Sequence, residues 1–156
     1  MKATIICALL ILLTWPLAAT DFEVEEITDG LNYPWSMAFL PGGDFIISEK
    51  AGNLLRLSAD GKSRTIIKNM PRTLVKGQGG LQDVVLDTDF ATTSRLFISY
   101  TSGDGNENYL KVLSAILKED ELRDIQVILT TAPAKSTTHH YGARMALLAD
   151  DTLVVT

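Results

Sequence analysis

The chain carries one cysteine in 156 residues, and that residue, Cys7, lies inside an apolar N-terminal run. The remainder has no thiol to pair. An exported domain made from it would have no disulfide, and would have to be held by its core, a metal or a ligand. Basic clusters are missing too: 14 Lys and Arg stand against 19 Asp and Glu, with no local concentration. That excludes nucleic acid as the main partner. There is no low-complexity tract and no heptad run. No second hydrophobic segment follows the first, so no further membrane span is expected.

What is present begins with that first segment. Met1-Lys2 is a short positive start, Thr4 to Trp15 is almost wholly apolar, and Pro16-Leu17-Ala18-Ala19-Thr20 supplies a turn and small residues. This is the pattern of a secretory signal peptide, too short for a transmembrane span. Residues 1–20 are therefore expected to be a signal peptide, cleaved near Ala18 to Thr20, and the protein to be periplasmic or secreted.

Beyond the leader a phrase recurs. Met37 to Ser48, Val84 to Tyr100 and Met145 to Thr156 each read as a short apolar strand, a turn rich in Pro, Gly or Asp, and a second apolar strand. Turn chemistry between β-rich runs predicts hairpins. Their starts lie about 48 and 60 residues apart, near the period of propeller blades, each a four-stranded antiparallel sheet. Asn53–Leu57 and Ser63–Ile67, around the turn Ala59-Asp60-Gly61-Lys62, are predicted to be the outer strands of the first blade. Phe22 to Thr28 reads as a separate first strand. Leu110, Leu113, Ile116 and Leu117 fit helical spacing, yet the same span allows period two, and strands are preferred because the blade count needs them. Gly103 to Asn108 is a loop on either reading. The fold expected is all-β: a partial β-propeller of about two blades and the start of a third. The chain stops at Thr156 inside an apolar run, so residues 21–156 are expected to be the N-terminal part of a longer propeller and inactive alone.

Gly77-Gln78-Gly79-Gly80-Leu81-Gln82-Asp83 sets a polar amide among three glycines, directly before an apolar run. Glycines permit tight turns and close approach to a ligand. The loop lacks the Lys-Ser/Thr that completes a phosphate cradle. About sixty residues on comes His139-His140-Tyr141-Gly142-Ala143-Arg144. An imidazole there can take a proton near neutrality. The His-His pair is a poor chelate, and no metal ligand is assigned. Gln82 and Asp83 are expected to satisfy local backbone groups, Arg144 to be a salt-bridge partner, and Tyr33 and Trp35 to be core or blade-interface aromatics. The scattered aspartates, such as Asp44, Asp60, Asp87 and Asp150, suit hairpin turns better than calcium sites.

Four stretches carry a resemblance: Gly30 to Gly43, Ser48 to Leu54, Gly77 to Asp89, and His140 to Met145. In this order and spacing they resemble the glucose/sorbosone dehydrogenases, which include soluble aldose sugar dehydrogenases using pyrroloquinoline quinone (PQQ). The resemblance covers nearly all of the chain after the leader. It implies a six-bladed β-propeller with PQQ over the central channel. Calcium would assist, its ligands in a C-terminal part beyond this chain. An aldose would be oxidised at the anomeric carbon to a lactone, and electrons passed to an external acceptor. By motif position, His140 would be the general base and Gln78 the residue beside cofactor and substrate. Ala143 departs from the family pattern, where Gly is common, and would be strained if that position needs a positive φ. Two other readings stay open: a non-catalytic propeller that serves as a binding or interaction module, and a lactonase-type propeller hydrolase.

Overall fold

The computed structural model describes residues 22–156; the leader expected at residues 1–20 lies outside the described residues. Alternating apolar residues and tight turns fold the chain into successive antiparallel meanders. The first sheet holds β1 (Pro34–Phe39), β2 (Phe45–Glu49), β3 (Leu54–Leu57) and β4 (Arg64–Ile67), in that spatial order. The second holds β5 (Leu81–Leu86), β6 (Arg95–Gly103), β7 (Asn108–Lys118) and β8 (Glu121–Thr130), again in order. A third begins with β9 (Met145–Leu147) paired to β10 (Leu153–Val155). The three recurring phrases are thus the first two strands of three sheets, and 53–57 and 63–67 are the outer strands of the first.

The turns follow local chemistry. Between β1 and β2, Gly43 takes φ +93° and the backbone of Leu40 bonds that of Asp44 at 2.8 Å. Between β3 and β4, Asp60 accepts from the Ser58 hydroxyl and the Lys62 N–H, and these bonds hold its carboxyl below the usual range. Between β5 and β6 the expected Asp-rich turn is lengthened by a single helical turn, α1 (Phe90–Thr93), closed by Ser94 at φ +55°.

The span with two possible periods is strand throughout β7, and period two holds along it: its register against β6 is unbroken from Asn108 to Ile116. Leu113, Ala115 and Leu117 face the core shared with the first sheet, while Leu110, on the opposite face, packs with Tyr141 and Ala143. The extra residue lies in β8, where Val112 pairs with Leu129 and Leu113 with Val127, so that Ile128 is bulged out. Phe22 to Thr28, by contrast, is not a strand: Phe22 is 87% and Val24 82% exposed. A strand needs a partner edge. This segment instead lies near the β3–β4 end, where Arg64 donates to the Thr28 hydroxyl and the Asp29 carbonyl.

The main core lies between the first two sheets. Ile46, Leu54 and Ile67 from one meet Leu81, Val84, Leu96, Ile98, Leu113 and Leu122 from the other. Each such burial contributes roughly 1.5–3 kcal/mol. β1 packs beside β5 and β5 beside β9, so the first strands of the three sheets are neighbours. At the far end Lys68, after β4, exchanges backbone bonds with Asp120 and Leu122 of the β7–β8 hairpin. Sheets arrayed side by side through their first strands are the blades of a β-propeller: two whole blades and the first hairpin of a third.

Candidate functional site

Two loops build the site, and Gly77 and Gly80 show how. A Cβ on Gly77 (φ +58°) would lie 2.5 Å from the Thr138 carbonyl oxygen. One on Gly80 would lie 2.4 Å from that of Lys50. These glycines seat the loop between two other backbone segments; close approach to a ligand is not what requires them. The seat is completed by the backbone of Gln78, whose N–H donates to Thr138 at 2.9 Å.

Gln78 and His140 come together. The Gln78 side-chain Oε1 accepts the His140 backbone N–H at 2.7 Å. The Lys135 ammonium donates to the carbonyls of His139 (2.5 Å) and His140 (2.6 Å) and sits 4.4 Å from the Tyr141 ring centroid. The buried Tyr141 hydroxyl donates to Asn108 Oδ1 at 2.5 Å, and burial pushes its pKa up. Pinned in this way, the loop holds His140 at φ +59° and Ala143 at φ +80°. Ala143 is fully buried, so the sequence departure from Gly does place a methyl group on a left-handed backbone.

The imidazole of His140 is exposed on the wall of a cleft of about 390 Å³, shared with Trp35, Lys50, Gln78, Gln82, Tyr141 and Gly142. Among the described residues no carboxylate lines it. Lys50 is tied back to the Gly77 carbonyl at 2.6 Å. A larger hollow, about 680 Å³, lies on the open face of β6–β8 beside Arg95, Phe97 and Gln126, and it gathers no histidine. His139 is exposed, its ring 6.4 Å from that of His140. Among the described residues no group of three or more His, Cys, Asp or Glu is placed to hold a metal ion, and no helix is long and apolar enough to cross a membrane.

Asp83 does more than serve its own strand. It is buried, and its carboxylate accepts the Ser36 hydroxyl at 2.5 Å, the Val84 N–H at 3.0 Å and the Met145 N–H at 2.7 Å. Arg144 completes the set at 3.2 Å, which is the salt bridge expected of it. The guanidinium of Arg144 also lies 4.8 Å from the Trp35 ring. One carboxylate therefore joins all three sheets behind the cleft. Trp35 is half-buried at the meeting of the first and third sheets, as an interface aromatic should be, whereas Tyr33 is 76% exposed. Lys50 and Lys135 had no sequence signal beyond being polar residues in turns.

A β-propeller blade pair whose loops bring an amide and an imidazole into one cleft is the class that fold and site define. The sequence profile of the glucose/sorbosone dehydrogenase family matches residues 31–156, and the chain belongs to that family. It is 34% identical over 135 residues to the aldose sugar dehydrogenase YliI of Escherichia coli, covering 84% of this chain and 36% of that one. A solved glucose dehydrogenase superposes with a TM-score of 0.79 at 31% identity, over 84% of this chain and 42% of its own. The PQQ-bound aldose sugar dehydrogenase of Streptomyces coelicolor gives 0.72 at 26%, over 83% and 39%. The chain thus spans little more than a third of the curated relative.

Proposed function

We propose that this chain is the N-terminal portion of an exported quinoprotein that oxidises aldose sugars at the anomeric carbon to lactones. One observation carries the reading: Gln78 and His140, 62 positions apart, face one cleft and are joined by a 2.7 Å hydrogen bond. His140 is the general base. Its backbone is held by Gln78 and Lys135, while its exposed imidazole is left to take the proton of the anomeric hydroxyl. Gln78 spends its Oε1 on His140, and its Nε2 donates no hydrogen bond among the described residues.

That donor set fits PQQ, whose carbonyl and carboxylate oxygens accept hydrogen bonds; Gln78 Nε2 would hold it, with Lys50 near. When bound, PQQ supplies the two-electron acceptor for the hydride leaving the anomeric carbon. Calcium and an external electron acceptor belong to the same proposal, as does a periplasmic or secreted location. The left-handed backbone at His140 and Ala143 supports a functional loop, since strain of this kind persists where surroundings over-determine it and clusters at active sites.

The test is dye reduction by the full-length protein reconstituted with PQQ and calcium, across an aldose panel. Turnover abolished by His140→Ala is the expected result. No turnover of any aldose sinks the reading and leaves the non-catalytic module in its place.

A further inference from the structure

Gln82 lies on β5, next to Asp83, and is 2% exposed. Its backbone carbonyl accepts the Ser48 hydroxyl, so the main chain is tied without help from the side chain. The side-chain Nε2 donates to the Gln78 carbonyl at 3.3 Å. This contact sets the amide's orientation, because the reversed amide would bring two carbonyl oxygens together. The oxygen that remains, Oε1, is buried and accepts nothing among the described residues. An amide oxygen withdrawn from water without a donor destabilises the fold, and such atoms are rare. An apolar side chain of similar length would avoid that cost.

The orphan atom belongs to a residue of the cleft wall, beside Gln78 and His140. Because Gln82 lines that cleft, a donor group that enters it is the partner the orphan oxygen lacks. The group it needs is a donor. Carboxylates and phosphates are acceptors and are repelled by it. A cationic donor is disfavoured, because the charged side chains at this wall are Lys50 and, behind His140, Lys135, with no carboxylate among the lining residues. A neutral donor remains, and a hydroxyl is the one the sugar of the proposed function supplies.

We propose that Gln82 is a specificity-determining residue of the cleft, its Oε1 accepting a hydrogen bond from a ring hydroxyl of the bound sugar. The inference rests on the sugar dehydrogenase reading and deepens it.

The experiment uses the full-length protein with PQQ and calcium, and compares wild type with Gln82→Leu and Gln82→Met on D-glucose and its 2-, 3- and 6-deoxy derivatives. In the wild type one deoxy sugar should lose about tenfold or more in kcat/KM, the scale of one hydrogen bond. In the variants that preference should collapse toward unity, mainly through KM for glucose, and the unfolding midpoint should not fall. Unchanged discrimination in a folded variant overturns the proposal, as does a wild type indifferent to every deoxy sugar. Should wild type oxidise no sugar, the dehydrogenase reading fails separately, and calorimetric titration with the same sugars decides on Gln82. Glucose binding about tenfold weaker in the variants supports its role; equal binding, or none in wild type, overturns it.

Discussion

Asp83 accepts the backbone N–H of Met145 at 2.7 Å across 62 residues of sequence, and the same carboxylate takes the Ser36 hydroxyl on its other oxygen. The first strands of three blades are therefore latched by one buried side chain. Removing it leaves the Met145 N–H and the Ser36 hydroxyl without that acceptor, and the Val84 N–H with only the Ser36 oxygen at 3.4 Å. Asp83→Ala should cost the full-length protein about 3 kcal/mol in urea unfolding. Arg144→Met should cost under about 1.5 kcal/mol, because its guanidinium is largely exposed and surface ion pairs contribute little. Equal costs for the two variants would show the ion pair, and not the hydrogen bonds, to be the latch.

Gln78→Leu withdraws the acceptor that positions His140. Both residues are exposed, so stability should change by less than about 1 kcal/mol. Turnover should fall roughly 10- to 100-fold as the base loses its register, and His140→Ala should lose about 100-fold or more. Dye-coupled kinetics beside thermal unfolding separates the two effects; a Gln78→Leu enzyme with wild-type kcat would refute the positioning role.

At Ala143 opposing terms nearly cancel. Glycine would relieve about 1–2 kcal/mol of left-handed strain. It would also lose about 0.8 kcal/mol of methyl burial and about 0.7 kcal/mol through the greater freedom of the unfolded chain. Ala143→Gly should therefore lie within about 0.5 kcal/mol of wild type. Ala143→Val adds branching and volume to a fully buried site on a left-handed backbone, and should destabilise by about 3 kcal/mol. A stabilising Val variant, measured by denaturant midpoint, would contradict the assigned backbone.

Burial raises the pKa of both Tyr100 and Tyr141 above the ordinary value of 10.0. Phenols held neutral in the fold bind protons more tightly there than in the unfolded chain. Their stabilisation is complete below pH 10 and is lost as pH rises through the folded-state values. Unfolding midpoints should drop above pH 10, and Tyr141→Phe should make the drop shallower. A midpoint that stays level through this range would count against the burial of both rings.

How far the sequence could be read depended on distance along the chain. The hairpin from Met37 to Ser48 was legible because period-two alternation and Pro-Gly-Gly-Asp chemistry act within a few residues. The bulge at Ile128 in β8 was not, since one extra residue leaves no mark on composition. Phe22 to Thr28 has strand-like alternation but no partner edge among the described residues, and pairing is a property of two segments. The placing of Gln78 beside His140 came from family resemblance; nothing in spacing alone brings positions 78 and 140 together.

The sequence by itself determined the recurring hairpins and the family, because side-chain periodicity, turn preference and ordered motifs are all local. Tertiary structure decided which polar atoms meet. It turned Asp83 from a local cap into a latch across three blades, gave the Gln78 amide to the His140 backbone, and left Gln82 Oε1 buried without a donor. Hydrogen bonds act over about 3 Å, so their pairing is settled only when distant segments have been folded to that separation.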